Sequence, residues 1–198
     1  MLMNYTKTRN NNVDLRVEKT RKLIIDTYRR LLEMKDIEAI TVKELSEKAR
    51  INKSTFYRHF QSLDSLITLI EDEIATNFMT LIADYKIPEQ LAEINRAFFI
   101  FSETNDTIYE KLIFHKNYEY IKIRTINKVM DRIWKKSSFY LNLPQHKQSI
   151  LLTFVKTTGV EIYKQWVQDN KRIPLEDVIY LSNRILCDGI QVFLENKK

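Results

Sequence analysis

Two helix start signals lie eleven residues apart between Ile40 and Phe60, in the stretch ITVKELSEKARINKSTFYRHF. Thr41 is placed as an N-cap, with Glu44 three residues on to close a capping box and with Ile40 and Leu45 spaced as a hydrophobic staple. The pattern repeats with Asn52 as cap and with Ile51 stapled to Phe56. Starts this close leave room for one short helix, a tight turn around Ala49-Arg50 and a second short helix. The spacing predicts a helix-turn-helix.

At about 100° per residue, the second helix turns Phe56 and Phe60 to one side, which must be buried. Ser54 and Arg58 point the other way, Thr55 and Tyr57 flank them, and Lys53 sits in the first turn. No carboxylate lies on that free face. Basic side chains reach phosphates and guanine edges, and hydroxyls bond phosphate oxygens, so the face suits a major groove. The alternative is a capped surface helix with ordinary solvated charge. Charge placement argues for the groove: residues 1–60 hold 14 Lys/Arg and 8 Asp/Glu, a net of +6, whereas residues 61–198 hold 18 of each.

At these residues the chain resembles the TetR (tetracycline-repressor) family of bacterial regulators. The resemblance rests on Thr41-Val42-Lys43-Glu44-Leu45-Ser46, on Ala49-Arg50-Ile51-Asn52, on Ser54 to Phe60 (STFYRHF) and on Asp64-Ser65-Leu66, and it covers about residues 15–75. Two departures stand out. Arg50 occupies a turn position that is usually Gly, and Leu63 occupies one usually held by a phosphate-contacting Lys. The resemblance implies an N-terminal DNA-binding domain, a connecting helix and a C-terminal domain for dimerisation and ligand sensing.

Only two Gly and three Pro interrupt 198 residues, so an all-α chain is expected. Residues 1–13 read as a disordered arm, and Asp14 as the cap of a helix to about Lys35 with an Ile24, Tyr28, Leu31 stripe. The domains expected are 14–61 for the helix-turn-helix and 62–198 for regulation and dimerisation, with 62–85 as a connecting helix capped by Ser62. Further helices are expected at about 88–103, 105–115, 118–142, 145–169 and 175–195. The last two should form an antiparallel hairpin with apolar residues on more than one face, a surplus suited to a homodimer interface. Gly159 inside the first of them suggests a close helix approach.

Catalysis finds little support in these residues. His59, His115 and His146 are scattered without metal-ligand spacing, no glycine-rich loop is present, and the single Cys187 lies on an apolar helix face. No metal, no cofactor and no enzyme activity are expected. No run reaches the roughly 18–20 apolar residues of a membrane span, and a cytoplasmic protein is expected. Fifteen of the 22 aromatics lie after residue 86. Among them Phe98, Phe101, Tyr109, Phe114, Tyr118, Trp134, Phe154 and Trp166 are candidate walls of a pocket for a small apolar or aromatic effector, or alternatively plain core.

The reading is therefore a dimeric transcriptional regulator, a repressor that binds a palindromic operator in double-stranded DNA and is released by a small molecule. Lys53, Ser54, Thr55, Tyr57, Arg58 and His59 would meet the DNA, with Thr41 and Lys43 adding backbone contacts. An activator or ligand-independent DNA-binding protein of the same fold is the alternative, and a helical protein-interaction module is a further one.

Overall fold

The computed structural model describes residues 5–104, 108–111 and 119–194, and among them every regular element is a helix. In chain order they are α1 (Tyr5–Met34), a short 3-10 turn (Ile37–Ala39), α2 (Val42–Lys48), α3 (Lys53–His59), α4 (Leu63–Leu81) and α5 (Leu91–Thr104). After residues 108–111, which are helical, come α6 (Glu119–Val129), a π turn (Met130–Trp134), α7 (Ser138–Leu141), α8 (Gln145–Gln168) and α9 (Leu175–Leu194). The chain divides into two compact units, Met1–Ile70 and Glu71–Lys198, and the division falls inside α4.

In the first unit α1 packs on α2, and α2 on α3. Ile24, Tyr28 and Leu31 of α1 are buried, as their spacing requires, and Ile40, Leu45, Phe56 and Phe60 are buried with them. Thr41 caps α2, its Oγ1 accepting the Glu44 N–H at 3.2 Å. The reciprocal half of the expected capping box is replaced. The Glu44 carboxylate takes Lys35 Nζ at 2.7 and 2.9 Å instead, because a charge-assisted bond outcompetes one to a backbone N–H.

The second cap also differs from expectation. Asn52 has the extended backbone of an N-cap, but its side chain makes no cap hydrogen bond; its carbonyl accepts from Thr55 and Phe56 at 2.9 and 3.2 Å. The intervening turn is a Schellman motif. Ile51 N–H donates to Ser46 O at 2.9 Å and Arg50 N–H to Glu47 O at 3.1 Å, which places Arg50 at φ 53°. A side chain in that left-handed region costs about 1–2 kcal/mol that glycine avoids. Arg50→Gly should therefore raise the stability of this unit by roughly 0.5–1 kcal/mol, after the unfolded-state entropy of glycine is deducted. Arg50→Val should lower it by about 1 kcal/mol or more. Thermal unfolding of the two variants checks the sign of each.

The second unit holds two apolar cores. One gathers Ile82, Leu91, Ile94, Trp134, Leu151, Val155, Leu186 and Ile190; the other gathers Phe99, Tyr163, Trp166, Val178 and Ile179. Packing of α5 on both α8 and α9, and of α8 on α9, builds them. The hairpin expected at the end of the chain is present, and its loop repeats the Schellman geometry with Asn170 and Lys171 at φ 57° and 52°. Gly159 lies where α8 approaches α5: a Cβ there would stand 3.1 Å from Asn95 Oδ1.

Three boundaries differ from the sequence reading. Helix α1 begins at Tyr5 and not at Asp14, since residues 5–13 contain no Gly or Pro and elongating an existing helix costs little. The connecting helix ends at Leu81, four residues short of Tyr85, and its expected cap is real: Ser62 Oγ accepts the Ser65 N–H at 3.2 Å. The single helix expected at 118–142 is broken. Lys135 N–H bonds Met130 O at 3.0 Å in a π turn, and Ser137 then caps a new helix through the Tyr140 N–H.

Candidate nucleic-acid interface

Phe56 fixes α3. Its ring is fully buried, and it meets Phe60 at 5.8 Å and Tyr57 edge-on at 5.3 Å between centroids. Arg21 of α1 lies 5.1 Å over the Phe60 ring, a cation–π contact that sequence spacing did not reveal. With this side anchored, Lys53, Ser54, Tyr57 and Arg58 are exposed and Thr55 and His59 half-buried. Tyr57 holds a large ring 56% exposed, which burial alone would not select.

All six α3 residues singled out from the sequence thus share one helix of seven residues with no acid in it. Thr41 and Lys43, at the start of α2, are exposed as well. The Thr41 hydroxyl is used as an acceptor by the cap and keeps its proton to donate. Burial, together with the neighbouring Arg58 and Arg21 charges, holds the His59 pKa below its ordinary value. At neutral pH its ring is therefore uncharged and donates from one nitrogen only.

In the second unit a cavity of about 130 Å³ opens between α4, α5, α6, the π turn and α8. Phe98, Phe101, Tyr109 and Trp134 line it, beside Ile74, Phe78, Met130 and Val155. Tyr109 stays protonated: burial pushes its pKa well above the usual range and the Glu71 charge adds to it, against a smaller opposing effect of the Ser102 hydroxyl. Phe154 and Trp166 are placed elsewhere. Phe154 turns its ring onto Gly189 of α9, and Trp166 sits with Tyr163 in the other core while its Nε1 donates to Ile173 O at 2.8 Å. Phe114 and Tyr118 lie outside the described residues.

Sequence reasoning missed Asn95 and Thr125, which also line the cavity. A signal for Asn95 was present, since it shares a helix face with Leu91, Phe99 and Ser102 and a polar residue on an apolar stripe needs partners. Cys187 is half-buried against the larger core, and burial, with Asp188 and Glu93, pushes its thiol up and away from nucleophilic use. Among the described residues no group of three or more His, Cys, Asp or Glu is arranged to hold a metal ion, and no helix is long and apolar enough to cross a membrane.

Two short capped helices at a tight turn, the second presenting a basic, hydroxyl-rich face, define a helix-turn-helix DNA-binding domain attached to a second helical unit. Residues 24–69 match the family described as bacterial regulatory proteins, tetR family. Over these residues the chain is similar to that family, and its fold is similar to that of solved structures of such regulators. Solved structures agree across most of the length. A TetR transcriptional regulator from Streptococcus agalactiae matches with a TM-score of 0.68 at 17% identity, over 89% of this chain and 98% of its own. NalD, described as the secondary repressor of the MexAB-OprM efflux pump in Pseudomonas aeruginosa, matches with a TM-score of 0.66 at 14% identity, over 87% and 96%. DhaS, described as a dihydroxyacetone kinase operon activator, matches with a TM-score of 0.59 at 20% identity, over 88% and 97%. No curated protein is similar enough to count as a relative.

Proposed function

We propose that the protein is a homodimeric repressor that binds an inverted-repeat operator through α3 and is released when a small molecule fills the cavity of the second unit. The observation that carries this reading is the acid-free, exposed face of α3, pinned from behind by Phe56. Lys53, Ser54, Thr55, Tyr57, Arg58 and His59 meet the major groove and its phosphates, and Thr41 and Lys43 contact the backbone. One helix of this length reads few base pairs, so a two-fold pair on successive major-groove faces is required for specificity.

The dimer is assigned to α9 with its neighbour α8. Ser182, Leu186 and Ile190 of α9 face inward and are buried, whereas Tyr180, Leu181, Ile185 and Val192 are exposed, as is Ile150 of α8. Leu181, Ile185 and Val192 follow helical spacing and form a stripe that one subunit leaves in water, which supports self-association. Release acts through α4, whose Ile74 and Phe78 line the cavity and whose first residues follow α3. A ligand shifts the equilibrium only by binding the non-DNA state more tightly.

Ile185→Glu tests the dimer. Each subunit should lose about 2 kcal/mol of association energy. The variant should sediment as a monomer at micromolar concentration and lose DNA affinity while keeping its helix content; a wild-type monomer at that concentration would reject the assignment. The sign of regulation is read from a reporter. Deleting the protein should raise expression from the promoter it occupies, and a fall would assign activation, the role named for DhaS.

A further inference from the structure

The cavity is built for a narrower class of ligand than apolar walls alone imply. This inference rests on the reading of the cavity as a ligand site. Its volume of about 130 Å³ is close to that of a dry protein cavity of roughly 150 Å³ that accepts benzene, so one ring fills it. Its aromatic wall is a chain of edge-to-face and tilted ring contacts. Phe78 meets Phe98 at 6.0 Å and 78° and Phe101 at 5.5 Å, and Phe98 meets Tyr109 at 6.4 Å and 74°. A further aromatic ring extends such contacts with favourable geometry.

Besides the Tyr109 hydroxyl and Lys156, two polar side chains interrupt the apolar lining among the described residues. Asn95 is 4% exposed, and its amide nitrogen donates to Ser182 Oγ at 3.0 Å and to Asn183 Oδ1 at 2.8 Å. Both amide protons are thereby used on α9. Its oxygen, an acceptor only, is turned to Gly159, where a Cβ would stand 3.1 Å away, and both residues line the cavity. Glycine at 159 keeps that oxygen uncovered. Thr125 is the second polar residue: its Oγ1 is buried and, among the described residues, has no hydrogen-bond partner. A buried hydroxyl without a partner is destabilising, and a ligand that pairs with it removes that cost.

An acceptor and a hydroxyl are together satisfied by a ligand hydroxyl, which both donates and accepts. A carboxylate suits them poorly, since it would face the Asn95 oxygen and give up its hydration in an apolar chamber. Lys156, half-buried, is the one cationic side chain among the described lining residues and favours an anion there. We propose that the cavity binds a neutral, single-ring aromatic molecule bearing a hydroxyl, with Asn95 Oδ1 and Thr125 Oγ1 as its polar partners. Occupancy then bears on α9 directly, because the same Asn95 side chain is tied to Ser182 and Asn183.

Calorimetric titration of the full chain at pH 7 with phenol, toluene and benzoate tests the class. Phenol, neutral at that pH, should bind at least tenfold more tightly than toluene, and benzoate should give no saturable heat. Thr125→Val should narrow the preference for phenol to about threefold while toluene binding persists, and Asn95→Leu should do the same. Should Asn95→Leu fail to fold, Thr125→Val decides alone. Equal affinity for phenol and toluene, tighter binding of benzoate through Lys156, or no binding of any of the three would overturn the proposal. DNA affinity is measured separately with and without phenol. Selective phenol binding that leaves DNA affinity unchanged would remove the effector role and leave the ligand class standing.

Discussion

Phe56→Ala should cost the first unit about 3–5 kcal/mol, enough to abolish DNA binding by removing the support of α3. The ring is fully buried and joins Phe60 and Tyr57 in one aromatic contact group, so truncation leaves a void that a seven-residue helix has little means to refill. The residue next to it should behave in the opposite way. Tyr57 is exposed, and Tyr57→Ala should change stability by no more than about 0.5 kcal/mol while still weakening DNA binding. Thermal unfolding and DNA titration of the two variants read both quantities. Retention of full DNA affinity by Phe56→Ala would remove the support assigned to that ring.

Gly189→Val should cost the second unit about 3 kcal/mol. Even an added Cβ would fall 2.4 Å from Phe154 Cζ and 3.0 and 3.1 Å from the two Cε atoms, so the ring or the helix must move. Gly189→Ala should be milder, since the gain of about 1 kcal/mol in helix propensity offsets part of the overlap. The partner identifies the cause. With Phe154→Ala in the same chain the penalty of Gly189→Val should shrink, giving a coupling of about 1–3 kcal/mol in a double-mutant cycle. Additive penalties would show that Phe154 is not what glycine makes room for.

What was legible in the sequence was what is local. The Thr41 cap and the Ser62 cap each join residues three apart, and the Ile24, Tyr28, Leu31 stripe depends only on helical period. The burial of Phe56 opposite Arg58 follows from the same period. Gly159 and Arg50 were visible as anomalies because each breaks a local preference, and both prove to sit at a real constraint, a close helix approach and a left-handed turn. What was not legible depends on partners distant in sequence. Glu44 was expected to fold back on its own helix and is taken by Lys35 of the α1–α2 connection. Phe154 is an aromatic like Phe98, and only the approach of α9 at Gly189 directs it away from the cavity. Asn95 stands on an apolar stripe, a local signal, but its partners come only from α8 and α9, far along the chain. The π turn at Met130–Trp134 has no Gly or Pro to announce it.

The central claim is that the face of α3 holds DNA, and its most direct test is the salt dependence of binding to double-stranded DNA. The logarithm of the association constant should fall linearly with the logarithm of salt concentration, by about 0.9 for each phosphate neutralised. Arg58→Ala should weaken specific binding by about 1–3 kcal/mol if it pairs with a base, and Tyr57→Phe should weaken binding to all sequences alike. Leu63→Lys, which places a charge at the first residue of α4, should tighten binding and steepen the slope by about two in a dimer. Affinity that ignores salt, together with Arg58→Ala and Tyr57→Phe variants that bind as the wild type does, would contradict the account.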